Sequence, residues 1–170
     1  VAALGENEWR ALRDALSRPP AALTLRVNGI HASSTEEVMT ALRAATAASV
    51  HSPLERVIRI EITGPHEMDL EGVVGQVMVG EQCASACMRG SDAYVCGVRA
   101  ASAGLSAGSL VALTIPRRAS QAPLRGSVVR GFDDDVAVLG VGTACAGTSE
   151  LVRGGNGLAV ELTQRLYSAL

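Results

Sequence analysis

The chain contains no lysine; its 15 basic residues are all arginine. Aromatic residues make up only 2% of it: Trp9, Tyr94, Phe132 and Tyr167. The core must therefore be built from Val, Leu, Ile and Ala, and any aromatic left at the surface becomes a candidate for contact work. No apolar run reaches the roughly 18 residues of a membrane-spanning helix. No charged-then-apolar leader opens the chain. Four cysteines without tightly paired spacings exclude the disulfide framework of a small secreted domain. These absences predict an intracellular, cytoplasmic protein that meets no membrane.

What is present bounds the rest. The 170 residues make one ordinary domain or two small ones, and 48% hydrophobic content means a folded core. The net charge of -2 predicts no polyanion partner by itself, but its distribution is uneven. From Ala93 to Phe132 there is no Asp or Glu, while Arg99, Arg117, Arg118, Arg125 and Arg130 all fall there, with Arg89 just before. A basic middle in a mildly acidic chain predicts one positive face. Arginine also recognises phosphate and stacks on bases better than lysine does.

Glu6–Leu16 places Trp9, Leu12, Ala15 and Leu16 at helical spacing, with Trp9 expected to pack that helix onto the strand at 57–62. Pro19–Pro20 ends it. Ala22–Asn28 alternates as a half-buried strand. Ser33 to Glu37 supplies a hydroxyl cap and first-turn acids for a second helix, and Val57–Ile62 is a clean alternating strand broken by Gly64–Pro65. From Val73 the texture changes to short, Gly-rich strands, at 72–80, 94–98, 110–115, 127–132, 136–143 and 158–162. Two short helices interrupt them, at 82–89 and 148–152. Asp133–Asp135 reads as a hairpin turn. The predicted class is α+β: a small α/β segment over 1–70, then a pseudo-barrel over 72–167.

Two chemistries suggested by the residues give way to plainer readings. Cys83 and Cys87 lie one helical turn apart, but a zinc site needs four ligands, and His31, His51 and His66 all lie in the first segment as surface or turn residues. The cysteines therefore read as small buried packing residues. Val138–Gly147 follows a strand and contains Gly140-x-Gly142, but the third glycine of a dinucleotide fingerprint would fall at Cys145. It reads as a strand edge with turn glycines.

Gln82–Arg89, then Arg89-Gly90-Ser91, the short run Tyr94–Val98, the Ala107–Leu110 turn and the closing segment SELVRGGNGLAVEL follow one another in an order that resembles the PUA domain, a small RNA-binding pseudo-barrel. The segment LRDALSRPPAALTLRVNGIHASSTEEVMTAL resembles the N-terminal part of Sun-family RNA cytosine-5 methyltransferases, one subfamily of which carries an inserted PUA domain. The resemblance covers nearly the whole chain. It implies that Arg89, Tyr94, Gly97 and Arg99 lie near RNA, that Arg117, Arg118 and Arg125 hold phosphates, and that the target is the acceptor end of a tRNA. It also implies that S-adenosylmethionine serves a C-terminal methyltransferase domain, against which this segment packs as a monomer; no catalytic role transfers to any residue of the 170. The sequence departs from the family at Cys96, where proline is usual, and in using arginine where the loop at 116–126 is usually lysine-rich. The expected function is thus the RNA-binding portion of a tRNA cytosine-5 methyltransferase. The alternatives are a stand-alone PUA-type protein linked to RNA modification or ribosome function, and a scaffold whose arginine loop binds acidic proteins.

Overall fold

The computed structural model describes residues 5–16, 20–30, 34–45, 50–132 and 135–168. Two compact units divide between Ile62 and Thr63, ahead of the division between 70 and 72 expected from the sequence.

The first unit contains helix α1 (Glu6–Leu16), strand β1 (Ala22–Arg26), helix α2 (Thr35–Ala45), and strands β2 (Val50–Leu54) and β3 (Val57–Glu61). The three strands form an antiparallel sheet in the order β1-β3-β2. Helix α2 begins where its chemistry dictates. Ser34 Oγ accepts the Glu37 backbone N–H at 3.1 Å, and Glu36 and Glu37 lie in the positive first turn. Val38, Met39 and Leu42 then pack on Ile58 and Ile60, which are fully buried. Burial of each isoleucine contributes about 1.5–3 kcal/mol.

Two expectations fail in this unit. Trp9 is 56% exposed and α1 buries no residue, because α2 already covers Ile58 and Ile60. Strand β2 was missed because VHSPL contains Pro53, which demotes a strand; here the strand lies at the sheet edge, where proline is tolerated. His31 and Ser33 lie outside the described residues, as do Pro19 and the side chain of His51.

The second unit is a seven-stranded mixed sheet, β5-β10-β9-β7-β4-β6-β8. Its elements are β4 (Gly75–Val79), α3 (Glu81–Cys87), β5 (Ala93–Tyr94), β6 (Val98–Ser102), β7 (Leu110–Pro116), β8 (Ser127–Val129), β9 (Val136–Ala144), α4 (Thr148–Arg153) and β10 (Leu158–Arg165). β4 pairs parallel with β7 and β6 with β8; the other pairs are antiparallel. The expected class, α+β with a small α/β segment followed by a PUA-like pseudo-barrel, is borne out. Val77, Val79, Val111, Leu113, Leu151 and Val160 form its aliphatic core.

β4 is buried along its whole length, so its one long polar side chain must be satisfied internally. Gln76 Oε1 accepts from Thr114 Oγ1 at 3.1 Å, and Gln76 Nε2 donates to the Gly131 carbonyl at 3.3 Å. Ser102 Oγ accepts the Gln76 backbone N–H at 2.9 Å.

Two readings are corrected here. The run Tyr94–Val98 is not one strand: a 3-10 turn at Val95–Gly97 separates β5 from β6. The hairpin turn expected at Asp133–Asp135 falls on Asp133 and Asp134, which lie outside the described residues. The cysteines are not all packing residues. Cys87 is buried and Cys83 half-buried, but Cys96 and Cys145 are exposed. His66 is exposed, as expected, with Nε2 at 3.1 Å from Thr63 Oγ1.

Candidate nucleic-acid interface

Turns and strand ends of the second unit bring residues far apart in sequence to one groove of about 860 Å³. One wall is the start of α3, from Gly80 to Cys83. A second is Cys96 to Arg99, where the 3-10 turn runs into β6. A third is the end of β7 and its loop, with Arg117, Ala119, Ala122 and Arg125. Three of the predicted arginines therefore converge: Arg99, Arg117 and Arg125 all line this groove, and all three are exposed.

Local structure fixes each of them. Arg99 lies on β6 between buried Val98 and Ala100, so its side chain leaves the opposite face. A Cβ added to Gly80 would meet Arg99 Nε at 3.4 Å, so the guanidinium stem runs over a residue without a side chain. The Arg117 N–H donates to the Asp135 carbonyl at 3.1 Å, tying the loop to the start of β9. The Gly126 N–H donates to the Arg99 carbonyl at 2.9 Å, returning the loop and Arg125 to β6.

Charge dominates the groove. Among the described residues, three guanidiniums face it against one carboxylate, Glu81. Among the described residues none of the three is paired with an acid. Unpaired guanidiniums around a concave surface attract phosphate and can grip it through two parallel hydrogen bonds.

The other predicted residues fall elsewhere or have structural partners. Gly97 lines the groove, but it also has a packing reason: an added Cβ would meet Cys83 Cβ at 2.5 Å and Cys83 Sγ at 2.6 Å. Tyr94 is 50% exposed on edge strand β5 and does not line the groove. Arg89 donates to Ser85 Oγ at 2.5 Å on its own helix, and Arg118 is exposed at the start of a 3-10 turn, outside the lining. Sequence reasoning missed Cys83 and Cys96 as groove residues. The signal available was the Cys-x3-Cys spacing, which put Cys83 at the exposed start of α3.

Cys83 has unusual acidity. Its pKa falls from 9.0 to about 7, chiefly because the Cys87 thiol donates toward its sulfur. Burial opposes the shift and a backbone contact at Tyr94 supports it. Cys87, which supplies the proton, is pushed strongly upward by the same bond and by burial. Among the described residues no group of three or more His, Cys, Asp or Glu side chains gathers to hold a metal ion.

The S-adenosylmethionine that the resemblance implies for an enzyme does not fit the one glycine-rich candidate. Gly140 and Gly142 lie inside β9, where an added Cβ would collide with β10 backbone: Gln164 O at 2.5 Å for Gly140, and Glu161 O for Gly142. Those glycines let two strands approach; they do not cradle a ligand. Among the described residues no helix is long and apolar enough to cross a membrane.

No established family profile matches the chain. It is 28% identical to the mouse tRNA (cytosine(72)-C(5))-methyltransferase NSUN6 over 95% of its own length and 35% of that protein. It is 26% identical to the Arabidopsis thaliana rRNA (cytosine-C(5))-methyltransferase NOP2C over 97% of its length and 33% of that protein. The crystal structure of NSun6 from Pyrococcus horikoshii with SFG superposes with a TM-score of 0.64 at 23% identity, covering 96% of this chain and 38% of that one. The chain spans about a third of the length of the curated relatives it matches. The likeness read from the N-terminal and Arg-Gly segments thus extends over nearly the whole length of the chain, which is similar to RNA cytosine-5 methyltransferases.

Proposed function

We propose that this chain is the RNA-binding portion of an RNA cytosine-5 methyltransferase, and that it recruits and orients a tRNA for methylation by a catalytic domain. The observation that carries this reading is the groove in which Arg99, Arg117 and Arg125 converge, paired with no acid among the described residues. The named activities of the similar mouse and Arabidopsis proteins supply the chemistry that such binding would serve.

The division of labour follows from the residues. Guanidiniums hold backbone phosphates, which sets register and orientation without reading sequence. Tyr94, half-exposed beside the 3-10 turn, offers a ring on which an unpaired base can stack. S-adenosylmethionine belongs to the catalytic domain, and the partner surface for that domain lies on this chain.

The test is fluorescence anisotropy of labelled tRNA across a salt series, with the wild-type chain and with charge reversals at Arg99 and Arg117. Affinity should fall linearly on a log–log salt plot, and the reversals should weaken it at every salt concentration. Unchanged affinity in both reversals removes the reading. An acidic protein that outcompetes tRNA would replace it with a protein-binding scaffold.

A further inference from the structure

The first unit carries a second basic concavity, of about 560 Å³, lined by Arg26, Val27, Asn28, Gly29, Ile30 and Arg56. Among the described residues no carboxylate lines it. Arg26 closes β1 and faces Val57 across the β1–β3 ladder, and Arg56 is the residue just before Val57. The Val27 N–H donates to the Arg56 carbonyl at 2.9 Å, which locks the turn that follows β1 to the β2–β3 reversal. Asn28 Oδ1 accepts the Ile30 N–H at 3.0 Å and shapes that turn.

Arg56 is placed against its backbone preference. Its φ is 58°, and among the described residues it is the one non-glycine residue in the left-handed region. A two-residue reversal between antiparallel strands favours Gly or Asn at such a position. The arginine side chain does something in return: a Cβ added to Gly29 would meet Arg56 Nη1 at 3.0 Å and Cζ at 3.4 Å, so the guanidinium occupies the space beside Gly29 that a side chain there would need. Among the described residues the acid it pairs with is Glu55, 4.0 Å from Nε and with 92% of that side chain exposed. Arg26 is paired with no acid among the described residues. Ile30, 86% exposed, adds an apolar surface beside the two cations.

We propose that Arg26 and Arg56, fixed on either side of the Asn28–Gly29 turn, form a second binding site for a phosphodiester of the RNA backbone, with Ile30 as the contact for the attached nucleoside. The inference rests on the RNA-binding reading above and extends it to the first unit. Two guanidiniums around a turn without a side chain match a phosphate that needs close approach, and the neighbouring isoleucine matches an apolar base or ribose edge better than it matches a free anion.

Arg56→Gly makes a clean probe, because glycine suits a φ of 58° better than arginine does, so the variant keeps its fold while losing the guanidinium. Thermal melting of the whole chain should show an unchanged or higher midpoint. In tRNA anisotropy, Arg56→Gly and Arg26→Gln should each weaken binding by about 3–10-fold and reduce the salt slope by about 0.7–0.9 per lost phosphate contact. If both variants bind tRNA with wild-type affinity and slope while Arg117→Glu weakens it, the second site is refuted and the groove reading stands. If Arg117→Glu is also silent, both fall. A parallel NMR titration with inorganic phosphate alone separates the sources. Saturation of Gly29 and Arg56 signals by phosphate, with tRNA affinity unmoved in the variants, would reassign the site to a small anion and overturn the proposal.

Discussion

Arg165 Nη2 lies 2.6 Å from Asp92 Oδ1, with the arginine side chain 18% exposed and the aspartate 32%. The same guanidinium donates through Nη1 to the Ser91 carbonyl at 2.6 Å, and the same Asp92 oxygen accepts the Leu162 N–H at 3.1 Å. The pair therefore clamps the segment after α3 to the closing strand β10. Asp92→Asn or Arg165→Met should each destabilise the chain by about 2 kcal/mol, since each strands partners of a charged hydrogen-bond network. Urea unfolding should show a lowered midpoint at constant slope, and the double variant should lose less than the sum of the two.

Gly97 should resist substitution for a packing reason. Its added methyl would sit 2.5 Å from Cys83 Cβ. Gly97→Ala should cost about 1–3 kcal/mol, and Cys83→Gly in the same chain should recover part of that loss. Denaturant midpoints of the two single variants and the double variant check this. Simple additivity would mean that the two residues do not meet.

Cys83 should be the fast-reacting thiol at neutral pH. A pKa lowered to about 7 leaves half of it as thiolate there, whereas an ordinary cysteine at 9.0 is almost entirely protonated. Alkylation by iodoacetamide, resolved by peptide mass spectrometry, should accelerate as pH rises through about 7 and then level off; below that pH the thiolate is protonated and the rate falls. Cys87→Ala removes the donor and should move the midpoint upward. Cys87 itself, held as a thiol, should stay unlabelled.

The arginines should not be equal in RNA binding. Arg99, Arg117 and Arg125 line the groove, while Arg118 and Arg89 do not. Each groove arginine changed to Gln should lower the salt slope by about 0.7–0.9, and Arg118→Gln and Arg89→Gln should change it less. Anisotropy titrations of the five variants rank them directly.

The residues show why some features were readable in sequence and others were not. Alternation in VIRIE points to β3, whose buried residues recur at a period of two, whereas LVALTIP is legible as a short apolar run because β7 is buried on both faces. The acid-free stretch from Ala93 to Phe132 pointed to a positive face, and three of its arginines do converge. The split of Tyr94–Val98 by a 3-10 turn was not legible, since alternating apolar residues look the same whether the backbone stays extended or turns once. Nor was the fate of α1: its apolar stripe is regular, but only the tertiary packing reveals that α2 already occupies Ile58 and Ile60. Arg56 carried no signal at all, because the reversal that holds it lies beside a proline-containing strand that pattern alone does not find.

Thr63 and Ser168, which bound the second unit, are joined by two backbone hydrogen bonds, Thr63 N–H to Ser168 O at 2.8 Å and Ser168 N–H to Thr63 O at 3.0 Å. The polypeptide thus comes into this unit and leaves it through one doorway. A module with that property can be spliced into a loop of an unrelated carrier without prying the carrier apart. Evolution can move such a cassette between enzymes as a unit, and so can a protein engineer.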